Sequence, residues 1–257
     1  MSLDAGFSER LRARDRLIGY WSMLDSVIAT ERIGRIGYDY VCVDAQHGFG
    51  GYEHLLHSLI AMAGSPESTG IVRVAQNSST EIARALDAGA AGVIVPMINS
   101  AEDARAAALA CRYPPRGTRS YGPIRSALGS VAHTAERDRD VVCLAMVETA
   151  DALANIEEIC QVPGIDGVYI GPSDLSLALG ATHPGDNNIE RRFTGALNVV
   201  VEAAKKAGVA AGIHCFSGES AAQRIEQGFT FASVASDITH LEHAASRHLA
   251  VFREAFK

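Results

Sequence analysis

The chain has almost no lysine. Of its 23 basic residues only Lys205, Lys206 and Lys257 are lysines, two in one helical stretch and one at the last position. An enzyme that works through an imine needs a lysine buried in its site, so Schiff-base chemistry is not expected. Long apolar runs are missing too. The longest uncharged one, Ala88 to Ala101, is broken by Gly, Pro and Asn, and no bilayer-crossing segment is expected. The residues up to Leu17 are rich in charge and poor in apolar runs, unlike a secretory signal. Basic residues are outnumbered 23 to 30 by acidic ones, so nucleic acid is not an expected partner. The five cysteines include no C-x-x-C pair, which suggests reduced, buried thiols in a cytoplasmic protein. No G-x-G-x-x-G follows the first candidate strand, so a nucleotide cofactor lacks support.

What is present is a repeat of apolar, β-branched runs alternating with amphipathic helical patterns. The candidate strands are 17–21, 40–43, 70–74, 92–95, 142–147, 167–170, 209–213 and 230–234. Helical patterns cover 52–62, 80–88, 101–111, 150–160, 192–207 and 220–227, and three of them stop just before Gly89, Gly208 and Gly228. Continuous apolar strands separated by helices imply parallel pairing buried on both faces. Eight such units in 257 residues predict an α/β fold, a (β/α)8 TIM barrel forming a single domain. A doubly wound sheet is the alternative. Two connections, 113–140 and 181–188, are longer than a connector requires and suit a binding site.

In such a barrel the catalytic groups sit at the C-terminal ends of the strands. Asp44-Ala45-Gln46-His47 follows the second, the third ends at Arg73, Glu148 follows the fifth, Gly171-Pro172-Ser173-Asp174 the sixth, and the seventh ends at His214. Glu148 and Asp174 end neighbouring strands, and two carboxylates without a thiolate or imidazole partner suit a hard divalent ion. The alternative is that each pairs with an arginine or caps a helix. Gly171-Pro172-Ser173-Asp174 opens a helix whose free N–H groups can hold a carboxylate, or it is a plain cap. Asp44 can orient His47 as a general base. Arg73, aimed into a barrel, is costly unless it meets an anion. His54 with His57 and His240 with His243 are read as solvated helix faces, and His214 as a pocket-lining candidate. Asp87 ends a helix, where a negative charge is mildly unfavourable.

Six blocks carry a resemblance: 38–44 with His47, Val72-Arg73-Val74, Val95-Pro96-Met97, 112–119, Val147-Glu148-Thr149 and 166–176. In order and spacing they resemble the HpcH/HpaI aldolase family, the metal-dependent class II pyruvate aldolases, over 18–235. The resemblance implies that Glu148 and Asp174 hold Mg²⁺, Mn²⁺ or a similar ion such as Co²⁺, chelated also by pyruvate. The pyruvate carboxylate would rest on the N–H groups around Ser173 and Asp174. Arg73 would stabilise the enolate oxygen and His47, oriented by Asp44, would move protons. Asp87 would reach a histidine of a neighbouring subunit in a hexamer whose last helix, 241–256, packs on a partner barrel. The implied reaction is reversible cleavage of a 4-hydroxy-2-oxo acid to pyruvate and an aldehyde. Ala45, Gln46, Met146 and Ser120 depart from common family residues and leave the aldehyde open. The rivals are a malyl- or citramalyl-CoA-type lyase, with Arg112, Arg116, Arg119 and Arg125 as a phosphate groove, and a non-catalytic metal-dependent carboxylate binder.

Overall fold

The computed structural model describes residues 5–65, 68–128 and 133–257. Eight strands close a barrel in chain order, every neighbouring pair parallel. They are β1 (Leu17–Ser22), β2 (Tyr40–Asp44), β3 (Thr69–Arg73), β4 (Gly92–Val95), β5 (Val142–Val147), β6 (Gly167–Ile170), β7 (Ala210–Cys215) and β8 (Phe231–Val234). Helices α1 (Ala5–Arg12), α2 (Val27–Gly34), α3 (Tyr52–Ala63), α4 (Ser79–Asp87), α5 (Ala101–Ala110) and α6 (Thr134–Asp140) belong to the first half. The second half carries α7 (Ala150–Ala154), α8 (Ile156–Cys160), α9 (Pro172–Ala178), α10 (Glu190–Ala207), α11 (Gly218–Glu226) and α12 (Asp237–Glu254). The stretch expected as one helix over 150–160 is broken at Asn155, whose side chain turns away to donate to the Asn99 carbonyl at 2.8 Å. Residues 129–132 of the long connection lie outside the described residues.

Alternation along each strand divides the core in two. Outward residues such as Val41, Val43, Val72 and Val93 pack under Leu55, Leu59, Ile82 and Leu86 of the helices. Inward residues, among them Leu17, Tyr40, Ile71, Leu144, Tyr169 and Phe231, fill the barrel. The fill needs a glycine: a Cβ on Gly19 would lie 2.1 Å from the Tyr40 ring. The Tyr40 and Tyr169 hydroxyls meet at Ser233 Oγ, 2.9 and 2.8 Å away, which satisfies both inside an apolar core. Phe7 and Leu11 of α1 join this inner cluster at the strand starts, with Phe7 5.7 Å from Tyr40. The N-terminal face is therefore plugged by a helix formed from the charge-rich opening segment, and the charged side chains gather at the C-terminal mouth. All five cysteines are free and buried. Among the described residues no helix is long and apolar enough to cross a membrane.

Candidate active site

Two strand ends meet first. Asp44 and Arg73 close β2 and β3 as register partners. Arg73 Nε donates to Asp44 Oδ1 at 2.9 Å, and a second guanidinium nitrogen donates to Oδ2. Asp44 is fully buried in this pair, and Arg73 nearly so. The carboxylate also accepts from the Trp21 indole N–H at 3.1 Å and from the backbone N–H groups of Gln46 and His47 at 3.0 and 3.2 Å. Burial opposes its ionisation, but the bonds and charge of Arg73, with the Trp21 N–H, outweigh that and hold Asp44 below its ordinary 3.8. The expected role of Asp44 is thus corrected. Among the described residues it meets His47 through the backbone N–H and not the ring, and His47 is exposed. Asp44 orients Arg73 instead.

Glu148 follows β5, and Asp174 lies in the first turn of α9 after β6; the two strands pair through Val147 and Ile170. Glu148 is 3% exposed. Its Oε1 accepts one backbone N–H, from Met97 at 2.8 Å, and Oε2 takes no donor among the described residues. Burial pushes this carboxyl above its ordinary 4.5; the Met97 N–H opposes the shift, the negative charge of Asp174 adds to it, and Arg73 and His47 oppose it. Asp174, Arg73 and His47 therefore all lie close enough to act on Glu148. The fit is tight. A Cβ on Gly171 would lie 2.8 Å from Glu148 Oε2, and Met97 adopts φ +56°, a left-handed conformation that aims its N–H at Oε1. Asp174 is exposed and opens into the mouth beside the free N–H groups of Ser173 and Asp174.

Among the described residues no group of three or more His, Cys, Asp or Glu is assembled as a metal cage. A buried carboxylate with one donor, facing a second carboxylate and no softer ligand, nevertheless fits a hard divalent cation whose other positions are filled by water or substrate.

Trp21, the one tryptophan of the chain, ties this mouth together and is the residue that motif reading missed. It stacks on Tyr169 at 5.7 Å, carries the Arg73 guanidinium carbon 5.0 Å from its ring centre, and meets His214 edge-on at 5.2 Å. A lone tryptophan at a strand end was the available signal. Burial and the Arg73 charge push the His214 imidazole down to about 4.

Other expectations fall away from the mouth. Asp87 ends α4, which runs back from the mouth toward the plugged face. Its charge is met at 2.6 Å by buried Arg119, and that contact offsets its unfavourable helix position. Arg112 is held by Asp166 at 3.1 Å, and Arg125 donates to the Ala88 and Leu59 carbonyls. With Arg119 also engaged, Arg116 is the one member of the expected phosphate groove left exposed. His54 is not on a solvated face: it is buried, 3.0 Å from Asp25 Oδ1 and against the Ser58 hydroxyl. His57 and His243 are exposed as expected, and His240 accepts or donates to the Tyr20 hydroxyl at 2.8 Å.

Residues 17–244 match the family described as HpcH/HpaI aldolase/citrate lyase. A hydroxypyruvate/pyruvate aldolase of Rhizorhabdus wittichii is 41% identical over 233 residues, covering 90% of this chain and 91% of that protein. A 4-hydroxy-2-oxo-heptane-1,7-dioate aldolase of Klebsiella pneumoniae is 34% identical, covering 97% and 94%. The crystal structure of an HpcH/HpaI aldolase/citrate lyase family protein from Burkholderia cenocepacia matches with a TM-score of 0.87 at 30% identity, over 97% of this chain and 99% of that one. The chain belongs to the HpcH/HpaI aldolase/citrate lyase family.

Proposed function

We propose that the chain is a class II pyruvate aldolase that reversibly cleaves a 4-hydroxy-2-oxo acid into pyruvate and an aldehyde, with a divalent cation held by Glu148 and Asp174. The carrying observation is the buried, under-paired Glu148 facing Asp174 in a mouth that also holds Arg73. Mg²⁺ or Mn²⁺ bound there would polarise the keto group and share enolate charge, a service of several kcal/mol.

The chain's own residues do the rest. The N–H groups of Ser173 and Asp174 receive the substrate carboxylate. Asp44 accepts from Nε and one terminal nitrogen along a single edge of the Arg73 guanidinium, which leaves the other terminal nitrogen for the oxygen on which enolate charge develops. His47, exposed at the mouth, takes the proton of the C4 hydroxyl as the C3–C4 bond breaks and the aldehyde leaves, and a proton from solvent then reaches C3 of the enolate to give pyruvate. In the reverse direction it returns that proton to the new hydroxyl.

The CoA-lyase alternative is weakened by the internal pairing of Arg112, Arg119 and Arg125. The same reading makes the chain a cytoplasmic oligomer, a hexamer with α12 exchanged. In support, α12 leaves Leu241, Leu249, Val251 and Phe252 exposed. The test is pyruvate in D₂O, followed by NMR of the methyl protons. Exchange that needs Mg²⁺ or Mn²⁺ and stops with chelator is expected; no exchange under either condition overturns the reading.

A further inference from the structure

The proposed chemistry gives Asn99 no part, yet both its side chain and its main chain are engaged. It lies half-buried in the turn after β4, two residues past Met97. Its Oδ1 accepts from the Thr149 hydroxyl, its carbonyl accepts from Asn155 Nδ2 at 2.8 Å, and its N–H donates to Asp103 Oδ2 at 3.1 Å. Thr149 uses the same hydroxyl to cap α7, accepting from the Ala152 N–H at 3.0 Å. Asp103 is itself held by the Ser100 hydroxyl at 2.9 Å. The helix interruption at Asn155 thus supplies one link of a bolt between the turn after β4 and the turn after β5. The bolt reaches Glu148 from two sides. Thr149 is its chain neighbour, and Met97 supplies the one N–H that Oε1 accepts, at 2.8 Å. Met97 holds φ +56°, and a residue with a side chain keeps that conformation only where its surroundings fix the backbone. Asn99, fixed at Oδ1, O and N, provides that restraint.

Resting on the reading of Glu148 as a ligand of the divalent cation, we propose that Asn99 is a positioning residue for that carboxylate. By tying the two turns together through Thr149, it keeps Glu148 Oε1 on the Met97 N–H and leaves Oε2, which takes no donor among the described residues, for the ion. An outer partner of this kind orients a ligating carboxylate without touching the metal. On the strand side Val147 is already held by its register with Ile170, so the turn that Asn99 bolts is the remaining freedom of Glu148. Cutting the bond to Thr149 leaves both carboxylates in the chain and removes only their preset geometry.

The experiment measures Mn²⁺ affinity from the EPR signal of the free ion, for the wild type, Asn99→Ala, Thr149→Val, Thr149→Ser and the double variant Asn99→Ala/Thr149→Val. Thermal melting in chelator checks that each is folded. Asn99→Ala keeps the carbonyl bond to Asn155 and the α7 cap, and it is expected to weaken Mn²⁺ binding about ten- to a hundredfold. Thr149→Val cuts the same bond from its other end and is expected to weaken binding as well. Thr149→Ser keeps the hydroxyl and is expected to bind as the wild type does. Adding Asn99→Ala to Thr149→Val is expected to change little, because the bond they share is already gone. Wild-type affinity in a folded Asn99→Ala or a folded Thr149→Val overturns the inference, as does an Asn99→Ala loss of equal size in both backgrounds. A wild type that binds no Mn²⁺ overturns the metal reading of Glu148 and this inference with it.

Discussion

Asp44 and Glu148 are both buried carboxylates at the same end of the same barrel, and they are held in opposite ways. Asp44 has a guanidinium nitrogen on each oxygen, an indole N–H and two backbone N–H groups, and titrates below its ordinary value. Glu148 has a single backbone N–H and a negative neighbour, and titrates above its own. Burial costs both groups. The difference lies in whether the chain supplies the counter-charge, as it does for Asp44, or leaves that to something outside the chain. A finished ion pair is a scaffold, and its product here is an oriented Arg73. On the proposed reading, the unfinished carboxylate is the one that holds the cation.

The comparison breaks most sharply at Glu148. Glu148→Ala is expected to lower metal-dependent cleavage about 10³- to 10⁴-fold, while in chelator the melting temperature stays level or rises, because an under-paired buried charge is removed. Asp44→Ala reverses that pattern. It strands the Arg73 charge, which is 9% exposed, and is expected to cost about 3–5 kcal/mol by urea unfolding. His47→Ala is expected to slow cleavage about 10²-fold at saturating metal, with metal affinity retained.

Acidity sharpens the same contrast. Asp44 titrates below 3.8, so its stabilisation is present at neutral pH and is lost as pH falls below 3.8 toward its lowered value. Glu148 titrates above 4.5, so the metal-free fold binds this proton more tightly than the unfolded chain does, and stability is lost as pH rises from 4.5 through the raised value. Melting curves in chelator across that range are expected to flatten in Glu148→Gln on the upper side only. The smallest effect is expected at Met97. Met97→Gly keeps the N–H on Glu148 and relaxes φ +56°, so stability should change by no more than about 1 kcal/mol and metal affinity should hold.

Much of this was legible before any coordinates. Parallel strands buried on both faces leave uninterrupted β-branched runs, and so the barrel and its strand ends could be placed within one or two residues. The carboxylates after β5 and β6 followed from that placement. Three helices were not seen. α1 hides Phe7 and Leu11 among charges. α2 is short and announced mainly by the Ser26 cap on Ala29. α6 is a two-turn helix inside what reads as a loop. The partner of Asp44 was misread because His47 is three residues away in the chain, whereas Arg73 is adjacent only across the β2–β3 register. Opposite charges ending consecutive parallel strands were the available clue. Arg119 and Asp87 are 32 residues apart and come together only through the long connection after α5, which periodicity cannot place.

The most direct test of the contrast between the two carboxylates is a Mn²⁺ titration followed by the EPR signal of the free ion. One site per chain is expected in the wild type and in Asp44→Asn, and its loss is expected in Glu148→Gln and Asp174→Asn. Undiminished Mn²⁺ binding by Glu148→Gln would contradict the assignment of the unfinished carboxylate as the metal site.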